Sequence, residues 1–459
     1  MWIFVFLILG VQLYLLNHLQ FVAWPEMISY AYLRNQGFLM YQDMIHPYPP
    51  LLTIGLSIVY NLFGHSLENL KIVSWTISLL SSVLVFLITK HLTRNNLFGL
   101  LALGFYALIQ PFLEGNMLWF DNVIVLPVLS GVYASFIYFK DKKLKWLIIV
   151  ALSFSLAALI KQTAALFLII FFAFLIFNKT QPKKLLVFCL TPLVLLIPLF
   201  IRLLQEGSVK WFLEWTIIYP VTEWGKYPNY VQMAVNDRDM LTLQILLVPP
   251  FVFAMFKRSI LKDRNFFLLV LFLLISLIAV YPRFSFFHFQ SALAFTIILW
   301  VFSSSRLNLK TTVVSIVASL VFFMPVVFKP YIVGGWNKEA RFMSQSDIKL
   351  ATTINSIAKG ERVFLQGLNS NLYAMSHTVP PKPWTDNFGW YLETPGIQSE
   401  ILKRWENDPP RYIFWRHSIP GNWFDLGTYE PKEFVEYYKL HYNLKGEIEQ
   451  DIEIWQRKD

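Results

Sequence analysis

The sequence predicts a polytopic α-helical membrane protein with a small α/β domain at its carboxyl end. Its composition supports this class, because 56% of the 459 residues are hydrophobic, 17% are aromatic and only 15% are charged, which is more apolar than a globular core requires. Apolar stretches also follow one another from Trp2 almost to Lys329, and every second connection between them is short and rich in Lys and Arg. This alternation is typical of helices that cross a bilayer repeatedly.

Transmembrane helices are predicted wherever an apolar stretch approaches the roughly 20 residues that cross about 30 Å of hydrocarbon. Roughly eleven stretches meet this criterion. They are residues 2–22, 69–89, 97–112, 122–139, 146–160, 163–177, 185–203, 241–256, 265–281, 291–304 and 311–329. The apolar segment 51–63 is too short to cross, and we expect it to lie along the membrane interface.

Positive charges set the predicted orientation, because Lys and Arg in short loops stay in the cytoplasm. Five clusters of these residues share one side of the membrane when the amino terminus is cytoplasmic. They lie at 90–94, 140–145, 179–184, 257–264 and 306–310. An odd number of spans then places residues 330–459 outside the cytoplasm. The net charge of +10 is mostly this orientation signal, so we predict no nucleic-acid partner.

The segment 146–177 fits either a helical hairpin that turns at Lys161-Gln162 or one long tilted helix. A single crossing would put the Lys-rich clusters before and after the segment on opposite faces of the membrane, so the charge pattern favours the hairpin. The single cysteine, Cys189, lies inside a predicted span. One cysteine allows no disulfide within the chain and no cysteine-based metal site.

Two domains are predicted, a membrane domain at residues 1–329 and an extracytoplasmic α/β domain at residues 330–459. The outer-face loops of the membrane domain are 23–68, 113–121, 204–240 and 282–290. In the second domain, hydrophobic patterning predicts helices at 346–358 and 396–406 and strands at 362–367 and 411–416. The loop 204–240 is rich in Trp, Tyr and Pro, which suits an interfacial anchor or a lid over a site.

Candidate functional residues lie in the outer loops. The first loop contains Glu26, Asp43 and His46. The two carboxylates can also be explained as caps of short helices that begin after Pro25 and near Pro49. The first loop alone leaves the functional and the structural explanations equally open.

The second outer loop places Glu114 and Asp121 at the membrane boundary, where an ionised group needs a polar partner. Lys161, at the apex of the predicted hairpin, is the expected countercharge, because an unpaired cation there would be costly. Lys161 is also a candidate to hold an anionic headgroup. Asp121 has a second explanation, since a negative charge at the start of a helix is favoured by the helix dipole.

The third polar segment, YPRFSFFHFQ, places Arg283 and His288 among aromatic residues. A guanidinium group offers a planar fork of donors that suits phosphate oxygens, so Arg283 is a candidate ligand for a lipid phosphate. Extension of the side chain to lipid headgroups explains Arg283 equally well. No pair of carboxylates or histidines has the spacing of a zinc site, so we predict no metal and leave a divalent ion open.

Several short sequences occur in an order that resembles membrane glycosyltransferases of the GT-C class. In chain order they are PE-x-x-x-Y, GFLMYQD, HPYPPL, LFG before a span, FLEGNMLWFDN and a hairpin with KQTA at its tip. The branch that looks most similar comprises protein mannosyltransferases and aminoarabinose transferases. The chain thus resembles glycosyltransferase family 39. The resemblance covers about residues 20–330, and the tail looks like the soluble C-terminal domain of that family.

The resemblance implies transfer of a hexose or pentose from a polyprenyl-phosphate carrier to a lipid, glycan or protein acceptor, usually with inversion. The reaction would take place at the outer face of the cytoplasmic membrane. In this family the first loop commonly carries an Asp-Glu pair. Here Pro25 replaces the Asp and leaves Glu26, while Asp43 matches a second acidic position, so these two carboxylates are the candidate general bases.

By the same resemblance, His46, Glu114 and Asp121 would shape the sugar or acceptor site. A second set, Lys161, Arg283 and His288, would hold the carrier phosphate.

Two other functional classes stay open at this stage: a transporter or flippase of lipid-linked sugars, and a noncatalytic scaffold for envelope assembly. Alternating-access transporters often show paired repeats and charges near the bilayer midplane. The candidate residues here gather at one face instead, which favours the transferase.

Overall fold

The computed structural model describes residues 1–417, 429–448 and 451–458. The chain forms two compact units, each assembled from separate stretches of sequence. The first unit contains residues 1–22, 70–198 and 232–339, and the second contains residues 23–69, 199–231 and 340–459. Two of the predicted outer loops, 23–68 and part of 204–240, therefore belong to the same compact unit as the C-terminal residues.

Apolar helices occupy every stretch that hydropathy predicts to span a membrane. Their bounds are Trp2–His18, Leu67–Thr93, Asn96–Ile109, Phe120–Asp141, Leu144–Ile160, Ala165–Phe177, Pro182–Leu190, Leu193–Gln205, Asp237–Phe256, Arg264–Ile278, Gln290–Ser305, Leu309–Phe323 and Lys329–Gly335. The predicted interfacial segment forms the helix Leu51–Phe63. The helical class is thus confirmed.

Five helical stretches in the described part of the chain are long and apolar enough to cross a membrane by themselves. They are Leu67–Thr93, Phe120–Asp141, Pro182–Gln205, Asp237–Phe256 and Leu309–Gly335. The other apolar helices have 10 to 17 residues, which is shorter than the roughly 20 residues of a typical span. The number of spans and their orientation stay predictions.

The chain turns back at Lys161, as the charge pattern favours. Lys161 has an extended backbone after the helix Leu144–Ile160, and a short 3₁₀ turn follows before the next helix begins at Ala165. The rings of Phe154 and Phe171, on either side of this turn, have centroids 6.0 Å apart. One continuous helix would separate these residues by about 25 Å at a rise of about 1.5 Å per residue.

The centre of the first unit is the helix Gln290–Ser305, in which nearly every residue is buried. It packs against the helices Asp237–Phe256, Arg264–Ile278, Asn96–Ile109 and Phe120–Asp141. Because all sides of this helix face other helices, its apolar residues extend around the whole circumference instead of forming one stripe. The segment 281–289, which directly precedes this helix, is therefore anchored at its carboxyl end by a fully packed helix.

The second unit contains short helices and a four-stranded sheet. The helices are Glu26–Asn35, Leu51–Phe63, Val209–Leu213, Tyr219–Thr222, Gln345–Ala358, Asn371–Met375, Gly389–Leu392, Ile397–Trp405 and Lys432–His441. The strands are β1 (Val363–Gln366), β2 (Tyr412–Arg416), β3 (Tyr442–Ile448) and β4 (Ile452–Arg457), in the order β1-β2-β4-β3. The four elements predicted within 346–416 are confirmed, whereas β3 and β4 are additional.

Strands β1 and β2 pair in parallel, with Val363 opposite Tyr412. The hairpin β3-β4 adds to β2 in antiparallel pairing. The buried indole of Trp405 packs between the rings of Phe364 and Phe434, with centroid distances of 4.7 and 5.2 Å. The first loop joins this unit through the backbone, because Trp384 N donates to Asp43 O at 2.8 Å and Ile45 N donates to Trp384 O at 2.9 Å.

Gly131 marks a close helix contact in the first unit, since a Cβ built there would lie 2.5 Å from the ring of the buried Phe154. We expect Gly131→Ala to lower the melting temperature of the detergent-purified protein, because overpacking typically costs about 1–3 kcal/mol. Gly104→Ala is the matched control, because nothing lies within 4 Å of a Cβ at that helical position. Equal melting temperatures for the two variants would contradict the close contact.

Candidate active site

Glu26 is the first residue of the helix Glu26–Asn35 and follows Pro25, which begins the turn. Its side chain is buried, with 3% of the residue exposed. Among the described residues, Oε2 of Glu26 has no hydrogen-bond partner. Burial, reinforced by the charge of Asp386, raises the pKa of Glu26 to about 8. Glu26 is therefore a buried carboxyl group that takes up a proton unusually readily.

Asp386 is the second carboxyl group of this site, and the sequence did not reveal it. It is 1% exposed. Ser370 Oγ donates to its Oδ2 at 2.8 Å, and the backbone N of Asn387 donates to its Oδ1 at 2.8 Å. Burial raises the pKa of Asp386 to about 6, against these two hydrogen bonds. Asp386 lies in the segment PPKPWTDNFGWY, whose other residues are mostly Pro and aromatic residues and do not by themselves indicate an acidic site.

Asp43, the other candidate base, is held by cations of the second unit. Lys382 Nζ lies 3.0 Å from Oδ2, and Arg404 Nη2 lies 3.6 Å from Oδ1. Leu39 N also donates to Oδ2 at 3.1 Å. A carboxylate with these partners fixes the first loop to the C-terminal residues, so the contacts favour the structural explanation for Asp43.

His46 is fully buried and hydrogen-bonded through both ring nitrogens. Nδ1 lies 2.7 Å from the carbonyl oxygen of Tyr48, and Nε2 lies 2.8 Å from Thr53 Oγ1. Since a carbonyl only accepts, Nδ1 donates and Nε2 accepts from the hydroxyl. Burial lowers the pKa of His46 to about 4, which matches this neutral form. These contacts join the segment HPYPPL to the helix Leu51–Phe63 and favour a structural role.

Asp121 and Lys161 form the ion pair that the sequence predicts. Lys161 Nζ lies 2.6 Å from Oδ1 of Asp121, with 9% and 2% of the two side chains exposed. His288 joins them, because its Nδ1 lies 2.9 Å from Oδ2 of Asp121. Burial lowers the pKa of His288, although Asp121 opposes this. The structure therefore brings one carboxylate, one ammonium and one imidazole into a single cluster.

Arg283 and Glu114 lie beside this cluster in the first unit. The charge of Arg283 acts on His288, as does that of Lys161. Oε2 of Glu114 accepts from the backbone N of Phe287 at 3.0 Å, and burial raises the pKa of Glu114. Glu114 thus fixes the segment 282–290, which carries Arg283 and places the imidazole of His288 against Asp121.

The aromatic residues of the loop 204–240 contact the C-terminal aromatic residues of the second unit. The rings of Trp224 and Tyr391 have centroids 5.2 Å apart, and those of Tyr227 and Trp390 are 6.3 Å apart. Packing against protein is thus a third explanation for the aromatic residues of this loop, beside an interfacial anchor and a lid. In the described part of the chain, no group of three His, Cys, Asp or Glu residues is arranged to hold a metal ion.

Comparison with known proteins shows similarity in sequence to a family model and in fold to solved structures. The family model for dolichyl-phosphate-mannose-protein mannosyltransferases matches residues 46–204. The fold is similar to ArnT from Cupriavidus metallidurans bound to undecaprenyl phosphate, with a TM-score of 0.59 at 11% identity over 99% of this chain and 97% of ArnT. The resemblance to the GT-C class is confirmed.

The GT-C-like fold is also found in a second solved protein. The oligosaccharyltransferase AglB from Archaeoglobus fulgidus, solved with an inhibitory peptide and a dolichol-phosphate, has a TM-score of 0.56 at 11% identity. The similarity covers 99% of this chain and 74% of AglB. No curated protein sequence matches the chain.

The buried Asp121–Lys161 ion pair implies that substitutions of the two residues have strongly coupled effects on the free energy of unfolding. We expect Lys161→Met and Asp121→Leu each to lower stability by about 3–5 kcal/mol, because removing one partner leaves a buried charge uncompensated. The double variant should lose less than the sum of the two single losses. Melting temperatures of the purified variants measure this coupling.

The exposed pair Lys226–Glu223, with a distance of 2.9 Å, is the control for this cycle. We expect no measurable loss from Lys226→Met, because exposed pairs contribute little. Additive losses at Asp121 and Lys161 would show that the two charges do not stabilise one another.

Proposed function

We propose that this protein transfers a sugar from a polyprenyl-phosphate carrier to an acceptor hydroxyl or similar nucleophile. The observation that carries the proposal is the GT-C-like fold along almost the whole chain, shared with an ArnT structure that binds undecaprenyl phosphate. The match to the mannosyltransferase family model over residues 46–204 supports it. The proposed reaction takes place at the extracytoplasmic face of the cytoplasmic membrane, where residues 330–459 would also lie.

In the proposed reaction, the acceptor oxygen attacks the anomeric carbon of the carrier-bound sugar. The bond between that carbon and the phosphate oxygen breaks, and its electron pair stays on the leaving phosphate. The acceptor proton passes to a general base, for which Glu26 is the better candidate, because its Oε2 is buried without a partner among the described residues. Attack opposite the leaving phosphate would invert the anomeric configuration.

The carrier phosphate would be held by Lys161, Arg283 and His288. Lys161 has three donors, of which Asp121 accepts one. Nδ1 of His288 donates to Asp121, so Nε2 would donate to a phosphate oxygen when the imidazole is protonated. Charge-assisted hydrogen bonds of this kind stabilise the negative charge that develops as the phosphate leaves.

Purified protein incubated with a panel of polyprenyl-phosphate sugars and candidate acceptors should release free polyprenyl phosphate from one donor. We expect Glu26→Gln to lower the release rate by about 10²- to 10⁴-fold, the usual contribution of a general base, while binding of polyprenyl phosphate persists. Glu361→Gln, at an exposed site in the same unit, is the matched control. The amount of free carrier measures turnover.

Three outcomes of this assay separate the alternatives. Loss of release in Asp43→Asn but not in Glu26→Gln would transfer the role of base to Asp43. Specific binding of a donor without release, with every sugar tried, would favour a transporter or flippase. Absence of both binding and release would favour a scaffold.

The cluster around Asp121 leads to a separate prediction about binding. We expect Lys161→Gln to weaken binding of polyprenyl phosphate by about 10- to 100-fold, since hydrogen bonds to charged groups contribute about 1.5–3 kcal/mol. Glutamine retains a donor for Asp121. The control is Lys403→Ala, which removes an exposed ammonium group from the second unit. Equal affinities of the two variants, measured by titration of the carrier, would remove Lys161 from the phosphate site.

A further inference from the structure

Glu26 and Asp386 are two buried carboxyl groups that act on each other. Glu26 is 3% exposed and Asp386 is 1% exposed. The charge of Asp386 opposes ionisation of Glu26. The helix Glu26–Asn35 and the C-terminal residues meet through a second contact, in which Ser370 Oγ lies 3.1 Å from Ser29 Oγ although the two serines are 341 positions apart. Ser29 lies one helical turn beyond Glu26, so the contact brings Asp386 to this end of the helix.

The two carboxyl groups differ in the donors that surround them. Asp386 accepts from Ser370 Oγ at 2.8 Å and from the backbone N of Asn387 at 2.8 Å. Oε2 of Glu26 has no such donor among the described residues. Hydrogen bonds to an ionised oxygen favour the charged form, whereas burial without them favours the neutral form. A proton shared by the pair therefore resides mainly on Glu26, and the negative charge resides mainly on Asp386.

Three buried phenols also act on the pair. Tyr30 and Tyr391 interact with both carboxyl groups, Tyr373 interacts with Asp386, and Tyr48 interacts with Tyr30 and Tyr391. Burial raises the pKa of Tyr30, Tyr373 and Tyr391 well above the usual value for a phenol. These three phenols stay neutral where carboxyl groups titrate, so the pair responds to its own charges.

We propose that Asp386 is a positioning residue that shares one proton with Glu26 and whose fixed negative charge makes the ionised Glu26 a stronger base. In the reaction, the acceptor O–H bond breaks and Glu26 takes the proton, while Asp386 remains charged. Glu26 then returns the proton to water after the product leaves. The catalytic meaning of the pair rests on the proposed function. The sharing of one proton between Glu26 and Asp386 does not depend on the proposed function. The carboxyl pair and the proposed function can therefore be tested separately.

The first test is a pH titration of the carboxyl bands in the infrared spectrum of the full-length protein in lipid nanodiscs. The band of a protonated carboxyl group that disappears in Glu26→Gln belongs to Glu26. We expect Asp386→Asn to lower the pH midpoint of this band by about one unit or more, because a nearby like charge raises a carboxyl pKa by such amounts. Asp386→Glu should restore a midpoint close to that of the wild type.

The matched control is Asp408→Asn, which removes a charge from the same unit at the surface, where Asp408 pairs with Arg362 at 2.8 Å. We expect the Glu26 midpoint to stay unchanged in this variant. If Asp386→Asn does not fold, Ser370→Ala provides the same test. It removes a donor from Asp386, so less negative charge remains opposite Glu26 and the midpoint should again fall.

An unchanged Glu26 midpoint in Asp386→Asn, or in Ser370→Ala where that variant is used, would overturn the proposal. This result would leave the proposed transferase activity untouched.

The second readout is the pH profile of polyprenyl phosphate release, whose acidic limb should move to lower pH in Asp386→Asn because Glu26 then ionises more easily. A shifted infrared midpoint without release from any donor would support the pair and reject the proposed function. Shifts in both readouts would support both.

Discussion

Burial of charged groups is the constraint on which the rest of this structure depends. An ionised side chain in an apolar environment must be paired, solvated by hydrogen bonds or neutralised by a proton. The protein uses all three solutions. Asp121 is paired with Lys161, Asp386 accepts hydrogen bonds from Ser370 and the backbone, and Glu26 lies where the protonated form is favoured.

These solutions distinguish Asp43 from Glu26 by the partners of their carboxyl groups. Asp43 contacts two cations and a backbone N–H. Its negative charge is therefore paired, and these contacts hold the loop in place. Glu26 interacts with the charge of Asp386 and has an oxygen without a partner among the described residues. Such an arrangement is unfavourable for folding alone, and buried groups of this kind are enriched at functional sites. The difference in partners therefore favours Glu26 over Asp43.

Features that depend on local composition were predictable from the sequence. Apolar stretches located the helices, and the hairpin turn at Lys161 was deduced from the rule that Lys-rich loops share one side. The Asp121–Lys161 pair was also predictable, because both charges lie beside long apolar stretches that offer few other partners. The hairpin β3-β4 was not predicted. Its strand β3, with the sequence YNLKGEI, is largely polar and has a bulge at Leu444/Gly446, so the alternation typical of strands is weak.

Asp386 could not be predicted, for a different physical reason. Its proximity to Glu26 depends on the packing of a C-terminal segment against the first loop, and no local periodicity encodes such a long-range contact. Pro25 supplies no carboxyl group, and a single-sequence comparison with the family pattern therefore leaves Glu26 without an acidic neighbour. The fold provides one from the other end of the chain. If proton transfer needs two carboxyl groups, what matters is their distance and their surroundings and not their order along the sequence. A residue far along the chain, such as Asp386, can therefore act as the second carboxyl group.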